Sequence, residues 1–349
     1  GNSWESDLGH FDFPEFQQLL VELLGNGLDF GDMVMRGTEG GQLFSWESLT
    51  GFLQDTFFKE LLQQRQMWVH ILILAVAAAV LVHFADVFQN RSVSQISFCM
   101  IYMLLFLLLL TSFQNSMGIA EQVMDHMRDF MTVLAPAYFL AMTLSARVTS
   151  AGVYYEFILL LISAVRWLAE AFVLPCVEIY VLLTLVNGMS GEGRLGRLTE
   201  LVEMLVGWSL KAVLAAVMGF HMIQGLITPA ADAFRASSVS KGIEMVPGVG
   251  DVGGSVTDLV LGSAMLIKNG VGAAALAVLI LLCLVPLAKL GVIMAAYYLL
   301  AAILQPVSEE RITGCLTGMG HAVRLLFQAV FTVLVLFLLT IALATAASG

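Results

Sequence analysis

The run Leu325-Leu-Phe-Gln-Ala-Val-Phe-Thr-Val-Leu-Val-Leu-Phe-Leu-Leu-Thr-Ile-Ala-Leu-Ala-Thr-Ala-Ala347 carries no charged side chain. It is long enough as a helix to cross about 30 Å of hydrocarbon, which takes roughly 20 residues. Met67 to Phe84, Ile96 to Phe113 and Met204 to Ile227 are read as spans as well. In lipid only a helix or a closed barrel satisfies its own backbone hydrogen bonds, and the short segments of alternating polarity that mark a barrel are not found here. The rest of the chain agrees: of 349 residues 59% are hydrophobic and 12% charged, whereas soluble domains average about 25% charged. The expected fold is an all-α polytopic membrane protein with about eight to ten transmembrane or re-entrant helices.

Charge is distributed unevenly. The net charge is -11, and Gly1 to Gln66 hold 11 of the 27 acids and 3 of the 16 bases. An acidic balance disfavours nucleic acid as a partner. Within 1–66, Phe11 to Leu24 and Leu49 to Leu62 place apolar residues at helical spacing, so this region is expected to be a water-facing segment of two amphipathic helices. It reads equally as a docking module or as a hairpin covering the membrane domain. The opening Gly-Asn-Ser is compatible with a removed signal peptide, and trimming would look the same; on the first reading the N-terminus is extracytoplasmic. The four cysteines, Cys99, Cys176, Cys283 and Cys315, lie far apart and indicate neither a disulfide framework nor a metal site.

After the first two spans, in 67–124, two stretches resemble each other. Pro136 and Pro247 are 111 residues apart, as are Pro175 and Pro286. Each second proline sits in a long apolar run that ends in a polar loop, Ser190-Gly-Glu-Gly-Arg194-Leu195 in one case and Ser308-Glu-Glu-Arg311-Ile312 in the other. A tandem repeat is expected, with units at 125–228 and 236–349. Such repeats build transporters whose working site lies between the halves. If each unit crosses four times the repeats are parallel and both Arg loops share a side; if three times, they are inverted.

Residues that could carry chemistry are few. Two G-x-G-x-x-G strings, at Gly191, Gly193, Gly196 and at Gly248, Gly250, Gly253, lack the strand and helix that dinucleotide binding requires, so no cofactor is expected. The histidines are scattered from His10 to His321, and no nucleophile or metal motif is present; no enzyme is expected. Charges inside apolar runs are more informative, because each costs about 2.5 to 3.5 kcal/mol at mid-bilayer on insertion scales and needs a partner or water. They are Glu156, Arg166, Glu170, Glu178, Lys211, Lys289 and Arg324. Glu178 and Lys289 are again 111 apart, which raises the idea of an ion pair between the halves, or of two side chains that snorkel to the interface. Gly248, Gly250, Asp251, Gly254, Asp258, Lys268 and Asn269 form a polar, glycine-rich cluster that either lines a path or breaks a helix. Arg194, Arg197 and Arg311 are candidate loop contacts.

Several strings resemble the stage III sporulation protein AE family of endospore-forming bacteria. They are Leu182-Leu-Thr-Leu-Val-Asn187, Arg194-Leu-Gly-Arg-Leu198, Gln224-Gly-Leu226, Val246-Pro-Gly-Val-Gly-Asp-Val-Gly-Gly254, Leu266-Ile-Lys-Asn-Gly-Val-Gly272, Ala301-Ala-Ile-Leu-Gln-Pro306 and Arg311-Ile-x-x-Cys315-Leu316. Weaker likeness extends upstream through Phe58-Lys-Glu-Leu61 and Met127-Arg-Asp-Phe-Met131. The resemblance implies a multi-pass protein of the mother-cell membrane around the forespore. Its implied partners are the other stage III A operon proteins and the forespore stage II protein Q, in a channel or secretion-like complex. It implies no catalytic residue. An autonomous small-molecule permease in the same membrane is the competing reading, and a homo-oligomer is compatible with either.

Overall fold

The computed structural model describes residues 62, 65–87, 91–144, 148–190, 195–243, 250–306 and 308–346. The amphipathic segments expected in 1–66 lie almost wholly outside them. The described chain is helical, without a strand. In order it runs α1 (Arg65–Val87), α2 (Arg91–Leu144), α3 (Val148–Leu168), a π-helical turn (Ala169–Val173), α4 (Leu174–Ser190), α5 (Gly196–Ile243), α6 (Gly250–Leu304) and α7 (Glu310–Ala346).

Five helical stretches among the described residues are long and apolar enough to cross a membrane: Phe98–Pro136, Tyr155–Met189, Gly196–Phe220, Gly270–Leu304 and Glu310–Thr345. Trp68–Ala77 of α1 is a shorter apolar helix. The segment around Pro136, which the sequence set apart from the preceding span, continues α2 instead, and Pro286 lies inside an unbroken α6. Among the described residues the continuous helices are thus longer than the spans read from the sequence. At 1.5 Å per residue a helix of 35 residues measures about 53 Å, more than the roughly 40–45 Å of a whole bilayer.

Pro175 accounts for one irregularity. Its ring would collide with the carbonyl four residues back, at Ala171, and it has no N–H to donate there. The chain widens to a π turn across Ala169–Val173, and the Leu174 N–H donates to the Ala169 carbonyl. A π turn of this kind inserts into an otherwise α-helical rod without ending it.

The helices pack around one continuous apolar core, with α2 antiparallel to α3–α4 and α6 antiparallel to α7. On α2 and α3–α4, Tyr102 donates to the Leu185 carbonyl at 2.6 Å while Arg128 reaches Glu170, so later residues of one meet earlier residues of the other. On α6 and α7, Gly272 faces Thr345 and Gly320 faces Tyr298. The fully buried Tyr297 of α6 donates to Ser112 of α2 and meets Trp68 of α1 edge-on at 5.0 Å, tying three helices together. Large apolar side chains such as Met100, Leu107, Trp167, Trp208 and Met222 remain exposed on the outside, where lipid covers them.

α4 and α7 approach closely because a glycine stands at the crossing. A Cβ on Gly318 would overlap the Thr184 methyl group, and one on Gly188 would run into Cys315 Sγ and the Tyr102 hydroxyl. Small residues let membrane helices draw together where hydrophobic collapse contributes nothing. Gly314, one turn from Gly318, has nothing within 4 Å of its Cβ position. Gly318→Ala is therefore expected to destabilise the protein in detergent by about 1–3 kcal/mol through overpacking. Gly314→Ala should be neutral or stabilising, since alanine favours helix by about 0.5–1 kcal/mol over glycine; thermal unfolding of the two variants checks the contrast.

Candidate functional site

Two polar regions interrupt the apolar bundle. The first lies where the polar middle of α2 faces the π turn. Arg128 donates to Glu170 at 2.8 Å and pairs with Asp125 at 2.9 Å, and Arg166 reaches the other oxygen of Glu170 at 3.2 Å. These groups line a cavity of about 400 Å³ together with Glu121 and Glu178. Glu178 is thus placed among carboxylates and guanidinium groups of α2 and the π turn. Lys289 sits half-buried on α6 and is not part of that lining, while α7 packs against both α4 and α6.

The second region is larger and lies between α4, α5 and α7. A cavity of about 870 Å³ is lined by Thr184 and Asn187 of α4, Thr199, Glu200 and Glu203 of α5, and Thr317 and His321 of α7. Glu309, Glu310 and Arg311 stand at its rim. A further cavity of about 640 Å³ shares Glu200 and Glu203 and continues along α5 and α7 past Lys211, Arg324 and Gln328. Together they form one groove, and Glu203 belongs to both halves.

At that junction Arg324 Nη2 donates to Glu203 Oε1 at 2.5 Å. His321 Nδ1 lies 3.6 Å from the same oxygen, too far for a hydrogen bond, and its ring meets Tyr298 edge-on at 5.8 Å. Arg324 Nε and His321 Nδ1 are buried without a hydrogen-bond partner among the described residues. About a third of each Glu203 and Arg324 side chain is exposed, so the pair is neither dry nor freely solvated.

The same contacts fix direction. Residues advance together on α5 and α7 from Thr199 and Thr317 to Glu203 and Arg324 and on to Lys211 and Gln328, so the two helices run parallel. Each begins just after a polar loop. The Asn187 side chain accepts from the Leu195 N–H at 3.0 Å and closes the turn into α5. The groove mouth therefore gathers the ends of both loops at one end of the bundle.

Sequence reasoning singled out Arg324 and Lys211 as charges in apolar runs. It passed over Glu203, which reads as part of an amphipathic first turn, and His321, which reads as one of several scattered histidines. Arg197 pairs with Glu200 at 3.0 Å, and Arg311 stacks over the Phe98 ring at 5.5 Å. Arg194 and Gly248 lie outside the described residues. Gly250, Asp251, Gly254, Asp258, Lys268 and Asn269 fall on the first part of α6, with no side-chain placement described. Among the described residues no group of three or more His, Cys, Asp or Glu could hold a metal ion.

The family model for stage III sporulation protein AE matches residues 28–348. The chain belongs to the stage III sporulation protein AE family. It is similar to stage III sporulation protein AE of Bacillus subtilis (strain 168), with 26% identity over 310 residues, covering 88% of this chain and 77% of the relative. No solved structure matches. The family match takes in the whole groove and also reaches back to residue 28 in the acidic segment.

The parallel course of α5 and α7 has a direct topological consequence. Cysteines introduced at Ser190 and Ser308, in a background lacking the exposed Cys99, are expected to react with a membrane-impermeant maleimide from the same face of the membrane. Labelling from opposite faces would contradict the arrangement.

Proposed function

We propose that this protein is an integral-membrane component of a sporulation apparatus linking mother cell and forespore, seated in the mother-cell membrane around the forespore. In this reading it serves as a membrane platform in a channel or secretion-like complex and is not an enzyme. Its partners are the other stage III A operon proteins and, across the intermembrane space, the forespore stage II protein Q. The observation that carries the reading is the family match, which runs unbroken from the acidic segment through the whole bundle. An acidic segment outside the membrane gives such a platform a surface to dock on, with the N-terminus on the extracytoplasmic side.

Within the membrane we take 125–228 and 236–349 as tandem units. Shifting Val148–Ser190 by 111 residues gives 259–301, which falls inside α6, and carries Pro175 onto Pro286. α5 and α7 then follow as corresponding helices, and their parallel course supports repeats of parallel rather than inverted type. The groove lies between these corresponding helices, where transporters built from repeats place their working site. That placement favours a second reading, in which the protein itself passes small molecules.

Crosslinked affinity capture from membranes of sporulating cells, read by mass spectrometry, separates the two. The platform reading expects recovery of other stage III A proteins and of protein Q. Recovery of the protein alone would contradict it.

A further inference from the structure

We infer that the groove between α4, α5 and α7 is a binding site for a small zwitterion of the α-amino acid class, held at Glu203 and Arg324. Binding there is a property of the isolated chain and does not depend on membership in a larger complex.

Two features of the groove select the charge of its occupant. At the mouth, Glu309 and Glu310 outnumber the guanidinium of Arg311, while Glu200 is already paired with Arg197. A bare anion entering there meets carboxylates first. Beyond Glu203, along the flank that opens between α5 and α7 toward the lipid side, the walls carry Arg324 and Lys211. A bare cation would meet the ammonium of Lys211 and the guanidinium of Arg324 there, the latter offset only by Glu203, beside the lipid-facing Trp208 and Phe331. In a partly desolvated site such like-charge contacts are costly. A solute carrying both an ammonium and a carboxylate is accepted by both regions.

The junction matches that solute in geometry as well as sign. Arg324 uses one N–H toward one oxygen of Glu203 and leaves Nε without a partner. A guanidinium offers five donors in a fork suited to a carboxylate. If the guanidinium rotates toward an incoming carboxylate, Nε gains its missing hydrogen bond, and the released Glu203 accepts the ammonium. Opposite charges one carbon apart fit between two side chains that are already in contact. With Thr184, Asn187 and Thr317 lining the approach, an incoming solute meets hydrogen-bonding groups as it loses water.

The test uses the purified full-length chain in lipid nanodiscs. Each proteinogenic α-amino acid is screened for thermal stabilisation, and equilibrium dialysis follows with the radiolabelled amino acids that stabilise. For each of these the matching amine without the carboxylate and the matching acid without the ammonium are compared. At least one α-amino acid is expected to bind about tenfold or more tightly than either half-charged counterpart, the scale of losing one charged hydrogen bond. Glu203→Gln and Arg324→Gln should each weaken binding by a similar factor. Should either single variant fail to fold, the double Glu203→Gln/Arg324→Gln variant removes both charges together and leaves no unpaired ion. Binding lost in that folded variant supports the site. No α-amino acid binding to the wild type, equal binding of the amine or acid alone, or undiminished binding by the double variant would overturn it. Loss of partners in affinity capture would leave this result unaffected, so the two proposals fail separately.

Discussion

A charged side chain carried into hydrocarbon costs a few kcal/mol unless something of opposite sign meets it, and this bundle brings several such groups together. Arg324 of α7 finds Glu203 of α5, and Arg128 of α2 finds Asp125 and Glu170. Each ion pair between helices fixes which helix stands beside which, and in what register. Dispersion and close packing then act on helices already placed, through glycines such as Gly188 and Gly318 that let backbones come near. Polar groups in a membrane are thus both its weakest solvation and its strongest positional information.

The pairing of α5 with α7 has consequences beyond its own energy. Because the two helices run parallel, their preceding loops end together, and the space between them opens at one end as a polar groove. An antiparallel pair would have separated those loops. The groove therefore follows from topology, with Glu203 and Arg324 marking the point where its two parts adjoin. Close packing of α4 against α7 and of α6 against α7 leaves α5 as the looser wall, with Met204, Leu205 and Trp208 turned outward.

Much of this is readable from the chain alone. Uncharged runs such as Leu325 to Ala347 announce membrane helices. Helix boundaries are less legible, since Pro136 and Pro286 sit within continuous helices and the sequence cannot say whether a proline kinks, ends or merely passes through. Arg324 stands out because it precedes a long apolar run. Its partner does not, because Glu203 follows Arg197 and Glu200 at the spacing of an ordinary solvated helix start, and only the approach of a second helix distinguishes it. The neighbours of Glu178 are not legible either, since Glu121 and Arg128, which share its cavity, lie about fifty residues earlier in the chain.

Contact between α5 and α7 through Glu203 and Arg324 is what the groove depends on in the working protein. The most direct measurement exchanges their charges, using Glu203→Arg, Arg324→Glu and both together as the sole copy in a sporulating host. Spore yield is scored beside membrane abundance. Each single reversal should lower yield by setting like charges against each other, and the double reversal should restore a large part of it at equal abundance. A double variant no better than the worse single one would contradict the pairing, and with it the parallel groove.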